Sequence, residues 1–122
     1  MSDIFFFDSY AVIELINGNP NYEEYLNSGI LLTKLNLFEV YYSFLRDFGK
    51  KEADKFIEKY YPFIIDFDEF IIKEAAEFKL QNRKRNLSMT DSIGYILSIK
   101  IGVKFLTGDK EFEDLEKVEF VK

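Results

Sequence analysis

The sequence predicts an α/β fold in which a parallel sheet carries helices on both faces. Three observations lead there. The run Ile4 to Phe7 is apolar at every position, the pattern of a strand buried on both sides. Further short apolar runs occur at Ile30 to Thr33, Pro62 to Ile65, Val103 to Leu106 and Val118 to Val121, with helical patterns between most of them, so strands and helices alternate. The length of 122 residues suits one domain, residues 1–122, with a core that needs no covalent staples.

The helices follow in order. Ala11 to Asn17 has helical character, and Gly18-Asn19-Pro20-Asn21 breaks it. Tyr22 to Leu26 is a second short helical segment. From Leu35 to Phe48, residues Leu35, Phe38, Tyr42 and Leu45 recur at helical spacing as the expected buried stripe. Gly49 ends that helix, and Lys51 to Tyr60 forms another. A long helix is expected from Phe70 to about Arg85, closing on Arg83-Lys84-Arg85. Ser88 or Thr90 caps a helix to Lys100 with Ile93, Ile96, Leu97 and Ile101 as its stripe, and Gly102 stops it. Glu111 to Leu115 reads as a helical turn.

Composition limits the chemistry. There is no Cys and no His, which removes disulfides, thiolate metal sites and the commonest general base. Catalysis would have to rest on carboxylates, Lys, Arg, Tyr, Ser or Thr. Carboxylates favour hard cations such as Mg²⁺ or Mn²⁺. The net charge of −6 argues against binding a polyanion through a broad basic surface, yet bound metal ions can supply local positive charge. Met1-Ser2-Asp3 has no basic segment ahead of the apolar run, and no apolar run approaches the ~20 residues of a membrane span. A soluble, cytoplasmic protein is expected.

Four acids stand at chemically suggestive places. Asp8 closes the first strand and Asp109 follows the fourth, in Phe105-Leu106-Thr107-Gly108-Asp109. Ligands of open α/β sheets bind beyond the carboxyl ends of strands; both acids also suit ordinary turns or helix caps. Glu39 lies beside the apolar stripe of its helix, where a carboxylate needs a metal or a partner, and Ser43 and Arg46 are local partners. Asp91 falls in the first turn of its helix, where the macrodipole alone favours an acid.

In this order the residues resemble the PIN-domain family. The matching words are Phe6-Phe7-Asp8-Ser9, Leu37-Phe38-Glu39-Val40, Leu87-Ser88-Met89-Thr90-Asp91-Ser92 and Leu106-Thr107-Gly108-Asp109. The resemblance implies a three-layer α/β/α fold with parallel strand order 3-2-1-4-5. It also implies Mg²⁺ or Mn²⁺ held at Asp8, Glu39, Asp91 and Asp109, and cleavage of RNA. Ser9 and Thr107 are candidates to orient the metal-held carboxylates, or alternatively cap helices and turns. Glu111, Glu113 or Asp114 is available as a fifth acid. Arg83, Lys84 and Arg85 are candidate RNA contacts, or a solvated helix end. Short stand-alone members of this kind are similar to VapC toxins, which dimerise and are inhibited by a cognate antitoxin.

Tyr10, Tyr22, Tyr25, Tyr41, Phe44 and Tyr61 exceed the evident needs of a small core and are candidates for a homodimer seam or an antitoxin groove. Three other readings stay open: a PIN-like module that binds RNA or protein without cutting, a housekeeping RNA-processing nuclease, and a receiver-like phospho-acceptor using Asp66 with Lys104 or Lys117.

Overall fold

The structure is a computed structural model describing residues 3–122; Met1 and Ser2, part of the expected domain, lie outside the described residues. In chain order the elements are β1 (Ile4–Phe7), α1 (Ser9–Ile16), a 3-10 turn (Pro20–Tyr25), β2 (Gly29–Leu31), α2 (Lys34–Phe48), α3 (Lys50–Tyr60), a 3-10 turn (Tyr61–Phe63), α4 (Glu69–Gln81), α5 (Met89–Ile101), β3 (Lys104–Thr107), a 3-10 turn (Lys110–Phe112) and β4 (Val118–Phe120). The sheet runs β2-β1-β3-β4 and every pair is parallel. Beyond β2, Leu32 makes a single parallel bridge to Ile64. The expected order 3-2-1-4-5 is therefore present, with its outermost strand reduced to one bridge. Pro62 explains the reduction, because it offers no N–H to a ladder and its segment folds into the 3-10 turn instead.

Side-chain alternation along β1 and β3 divides the core in two. Phe5, Phe7 and Leu106 pack with α1, α2 and α3, whereas Phe6 and Phe105 pack with α4 and α5. Phe6 and Phe105 are fully buried and stacked at 5.8 Å. Burial of each such ring stabilises the fold by about 2–3 kcal/mol relative to exposure. Gly102 terminates α5 with φ 80°, a left-handed cap that favours glycine, and β3 follows at once.

Three local expectations need correction. First, α2 forms where expected but turns the other way: Asn36, Leu37, Val40 and Phe44 are buried, while Phe38 is 73% and Tyr42 57% exposed. Both flanks of this helix carry apolar residues, so periodicity alone could not select the inner one. Second, α4 stops at Gln81 rather than near Arg85. Arg85 leaves the helix direction to donate to the Glu111 carbonyl and to pair with Asp114 at 2.7 Å. Third, Tyr22, Tyr25 and Phe44 are core residues rather than surplus ones. The two tyrosine hydroxyls reach partners at the periphery, Tyr22 donating to the Val121 carbonyl and Tyr25 to Glu119. Tyr61 is exposed and Tyr41 half-buried, its hydroxyl donating to Asp54.

Candidate active site

The topology gathers one end of the sheet around a cavity. β1 and β3 are neighbours, and Asp8 N–H donates to the Leu106 carbonyl just beyond their pairing. From β1 the chain crosses to β2 on one side and later returns to β3 on the other, so this is the switch point where open α/β sheets bind ligands. α5 runs antiparallel to the strand it precedes, which brings its N-terminus to the same end. The resulting cavity of about 520 Å³ is lined by Asp8, Tyr10, Glu39, Ser88, Asp91, Gly108, Asp109, Lys110 and Lys122. All four acids singled out in the sequence line it.

The acids are placed by caps and by contacts between distant segments. Asp8 caps α1: its Oδ1 accepts from Ala11 N–H at 2.7 Å and its Oδ2 from the Thr107 hydroxyl at 2.5 Å. Thr107 in turn accepts from Asp109 N–H, so one hydroxyl ties the ends of β1 and β3 together. Asp109 caps the following 3-10 turn by accepting from Glu111 N–H at 3.0 Å. Asp91 lies in the first turn of α5, which Ser88 caps. Glu39 accepts from the Ser9 hydroxyl at 2.5 Å, not from Ser43 or Arg46. For Asp8 and Asp109, capping and a place on the cavity wall thus coexist.

A buried relay stands behind Glu39. The Thr33 hydroxyl donates to Asn36 Oδ1, and Asn36 Nδ2 donates to the Ser9 oxygen at 3.1 Å. Asn36 is 1% exposed, and its amide links the start of α2 to the start of α1. Sequence reasoning missed it, although Thr33 and Asn36 form a capping box whose spacing was available to be read. It also missed Tyr10, Ser88, Lys110 and Lys122 as site residues, because their convergence depends on tertiary structure.

The electrostatics are those of crowded, partly dehydrated acids. Burial pushes the Asp8 carboxyl up to about 8, with Asp91 and Asp109 adding to the rise and the Thr107 and Ala11 hydrogen bonds opposing it. Asp91 is also raised, first by burial and then by Asp109 and Glu39, against the Ser88 hydrogen bonds. A divalent cation would relieve this arrangement. The donor set is entirely oxygen, as Mg²⁺ or Mn²⁺ prefers. Among the described residues no group of three or more acids is preassembled to hold an ion. A hydrated cation such as Mg²⁺ would suit this donor set, with Asp8, Glu39, Asp91 and Asp109 holding it directly or through water.

The remaining candidates fall elsewhere. Arg83, Lys84 and Arg85 do not line the cavity; Arg83 donates to the Leu80 carbonyl and Arg85 is bound to Glu111 and Asp114 as described. Glu111, Glu113 and Asp114 do not line it either. Glu111 accepts from Asn86 N–H, and Glu113 is exposed. Asp66 follows the bridge at Ile64, apart from the four acids, and lines a different depression with Phe70 and Lys100. Among the described residues, no helix is long and apolar enough to cross a membrane.

Comparison with known proteins bears on the fold. Among curated proteins none matches the sequence. Solved structures do match in fold. VapC20 of Mycobacterium tuberculosis, a sarcin–ricin loop cleaving toxin, superimposes with a TM-score of 0.76 at 16% identity, covering 98% of this chain and 100% of that one. A chain of VapBC2 from Rickettsia felis, bound to a DNA fragment from its promoter, gives 0.70 at 20% identity over 96% of each chain. A chain of a toxin–antitoxin complex from Klebsiella pneumoniae gives 0.73 at 16% identity, covering 94% of this chain and 95% of that one. At such identities the likeness is one of fold. The family pattern described as PIN domain matches residues 5–118, nearly the whole sequence, and this chain therefore belongs to the PIN-domain family.

Proposed function

We propose that the chain, acting as one domain over residues 1–122, is a Mg²⁺- or Mn²⁺-dependent endoribonuclease and the toxin of a VapBC-type toxin–antitoxin pair in the cytoplasm. The observation that carries the reading is the meeting of Asp8, Glu39, Asp91 and Asp109 around one cavity from four separated segments. PIN domains are typically nucleases and generally metal-dependent. Two structural relatives support the finer reading: the M. tuberculosis protein cleaves the sarcin–ricin loop, and the K. pneumoniae chain belongs to a toxin–antitoxin complex.

In this reading the four carboxylates hold the ion directly or through water. A divalent cation held there would offer charge neutralisation at a phosphoryl oxygen and activation of water near neutral pH. The chain's own part is orientation. Thr107 fixes one Asp8 oxygen and leaves it a further lone pair for the ion or its water. The Thr33–Asn36–Ser9 relay fixes Glu39 in the same manner.

A partner-covered surface also has support. Phe38, Tyr42 and Leu45 are exposed on α2, the helix that carries Glu39. Adjacent bulky apolar residues on one exposed face mark an interaction surface. An antitoxin seated there lies beside the proposed catalytic cavity, and a homodimer contact is the other use of such a face.

Activity is the direct test. The purified chain is expected to cut RNA internally in Mg²⁺ or Mn²⁺ and to stop when EDTA is added. Intact RNA of every type offered, in either ion, would overturn the proposal.

A further inference from the structure

Four acids alone would repel the substrate they are meant to cut. A divalent ion offsets two of their charges, and the phosphates flanking the scissile one still need cations at the cavity's edge. The basic run Arg83, Lys84 and Arg85 does not line the cavity. Two other cations do: Lys110 and Lys122.

We propose that Lys110 and Lys122 form the phosphate-binding rim of this site, each receiving an RNA backbone phosphate next to the bond cleaved. The inference rests on the nuclease reading and adds the substrate-holding residues to it. Four features support it. Despite an acid-rich neighbourhood, neither lysine belongs to any ion pair among the described residues, so both ammonium groups are available to an incoming anion. Lys122 is placed by a secured backbone: its carbonyl accepts from Asn21 Nδ2 at 3.2 Å, and the preceding Val121 donates its N–H to the Thr107 carbonyl at 2.9 Å and accepts from Tyr22 at 2.7 Å. Its Nζ rests 5.6 Å from the centre of the Tyr10 ring and 3.5 Å from the Gly108 carbonyl. Lys110 directly follows Asp109 and opens the 3-10 turn that Asp109 caps, so the anion-binding and cation-binding groups move as one unit.

Gly108 keeps this edge closed around Tyr10. A Cβ at that position would overlap the Tyr10 ring and crowd the Val121 carbonyl. The ring that supports Lys122 therefore lies directly on the backbone between Thr107 and Asp109. As point charges on flexible stems, lysines suit phosphate contacts that need no fixed planar geometry.

The lysines act on RNA and on the metal ion with opposite sign, and this separates them from residues that merely hold the fold. The experiment compares wild type with Lys110→Gln, Lys122→Gln and the double variant. It measures binding of a short mixed-sequence single-stranded RNA in Ca²⁺ across a salt series, steady-state cleavage in Mg²⁺, and Mg²⁺ affinity without RNA. The double variant is expected to bind RNA on the order of tenfold more weakly, with the slope of log K against log salt reduced by about 1.4, or about 0.7 per lost phosphate contact. KM should rise in step while kcat stays within about threefold. Mg²⁺ affinity without RNA should stay constant or increase, because two competing positive charges are gone. Lys122→Arg should restore the salt slope. An unchanged slope and KM in the double variant, with cleavage still dependent on Asp8, overturns the rim and leaves the nuclease reading standing. RNA bound but never cut by wild type, with the same loss in the double variant, upholds the rim and sinks the nuclease reading. Absence of RNA binding by wild type overturns both.

Discussion

Asp8→Asn and Asp91→Asn should each lower Mg²⁺-dependent RNA cleavage by at least about 10²–10³-fold, while the far-ultraviolet circular dichroism stays that of the native fold. Metal-assisted charge stabilisation contributes several kcal/mol to phosphodiester cleavage, and each 1.36 kcal/mol is about tenfold in rate. The amide at position 8 can still accept from Ala11 N–H and donate to the Thr107 oxygen, so the cap and the link between β1 and β3 survive. It loses the charge that the proposed ligand role of Asp8 requires. Asp91 lies on the cavity wall from α5, whose cap is supplied by Ser88, so that helix also keeps its start. The measurement is single-turnover cleavage of RNA by purified variants. Full activity in either one removes that residue from the proposed machinery.

The same Asp8→Asn substitution should make the metal-free protein more stable, not less. The folded-state carboxyl titrates at about 8 through burial, against roughly 3.9 in an unfolded chain. Between these values the folded state holds a proton that the unfolded state has released. Metal-free stability is therefore greatest at acid pH and falls as pH rises from about 4 towards 8, and the raised Asp91 acts in the same direction. An amide has no such penalty. In EDTA at pH 7.5 the variant is expected to melt at least several degrees above wild type, and its stability should depend less on pH. Saturating Mg²⁺ should stabilise wild type by displacing the Asp8 proton, roughly 2.7 kcal/mol at a hundredfold excess over Kd, and should stabilise the variant far less. Differential scanning calorimetry from pH 5 to 8, with and without Mg²⁺, checks both. A variant that melts below wild type in EDTA at pH 7.5 would contradict the assignment of Asp8 as a buried, frustrated acid.

The two predictions share one cause. On the proposed reading, the burial that would suit Asp8 to a cation is also what raises its pKa and lowers the stability of the metal-free protein.

Much of this was legible in the sequence because strand periodicity and parallel topology constrain each other. Ile4 to Phe7 could be read as a two-faced strand, and the structure does place Phe6 in one core and Phe5 and Phe7 in the other. Once β1 and β3 are parallel neighbours, the acids that follow them must lie at the same end of the sheet. Helix faces were harder. In α2, Phe38, Tyr42 and Leu45 compete with Leu37, Val40 and Phe44 for burial, and the inner face includes the polar Asn36. A rule that sends the greasier stripe inward chooses wrongly when both stripes of a helix are apolar. The basic run was misplaced for a related reason. Arg85 finds a bidentate partner in Asp114, a contact between residues 29 apart that no local pattern announces. Lys122 reaches the cavity only because Asn19, Asn21 and Tyr22 fasten the chain around it.

The central claim is that Asp8, Glu39, Asp91 and Asp109 together hold a divalent cation. Anomalous diffraction from crystals grown with Mn²⁺ tests it most directly. The account predicts a manganese peak inside this cavity, within direct or one-water reach of the four carboxylates, that disappears in Asp8→Asn. Saturating Mn²⁺ with no peak there, or a peak held by acids elsewhere on the surface, would contradict it.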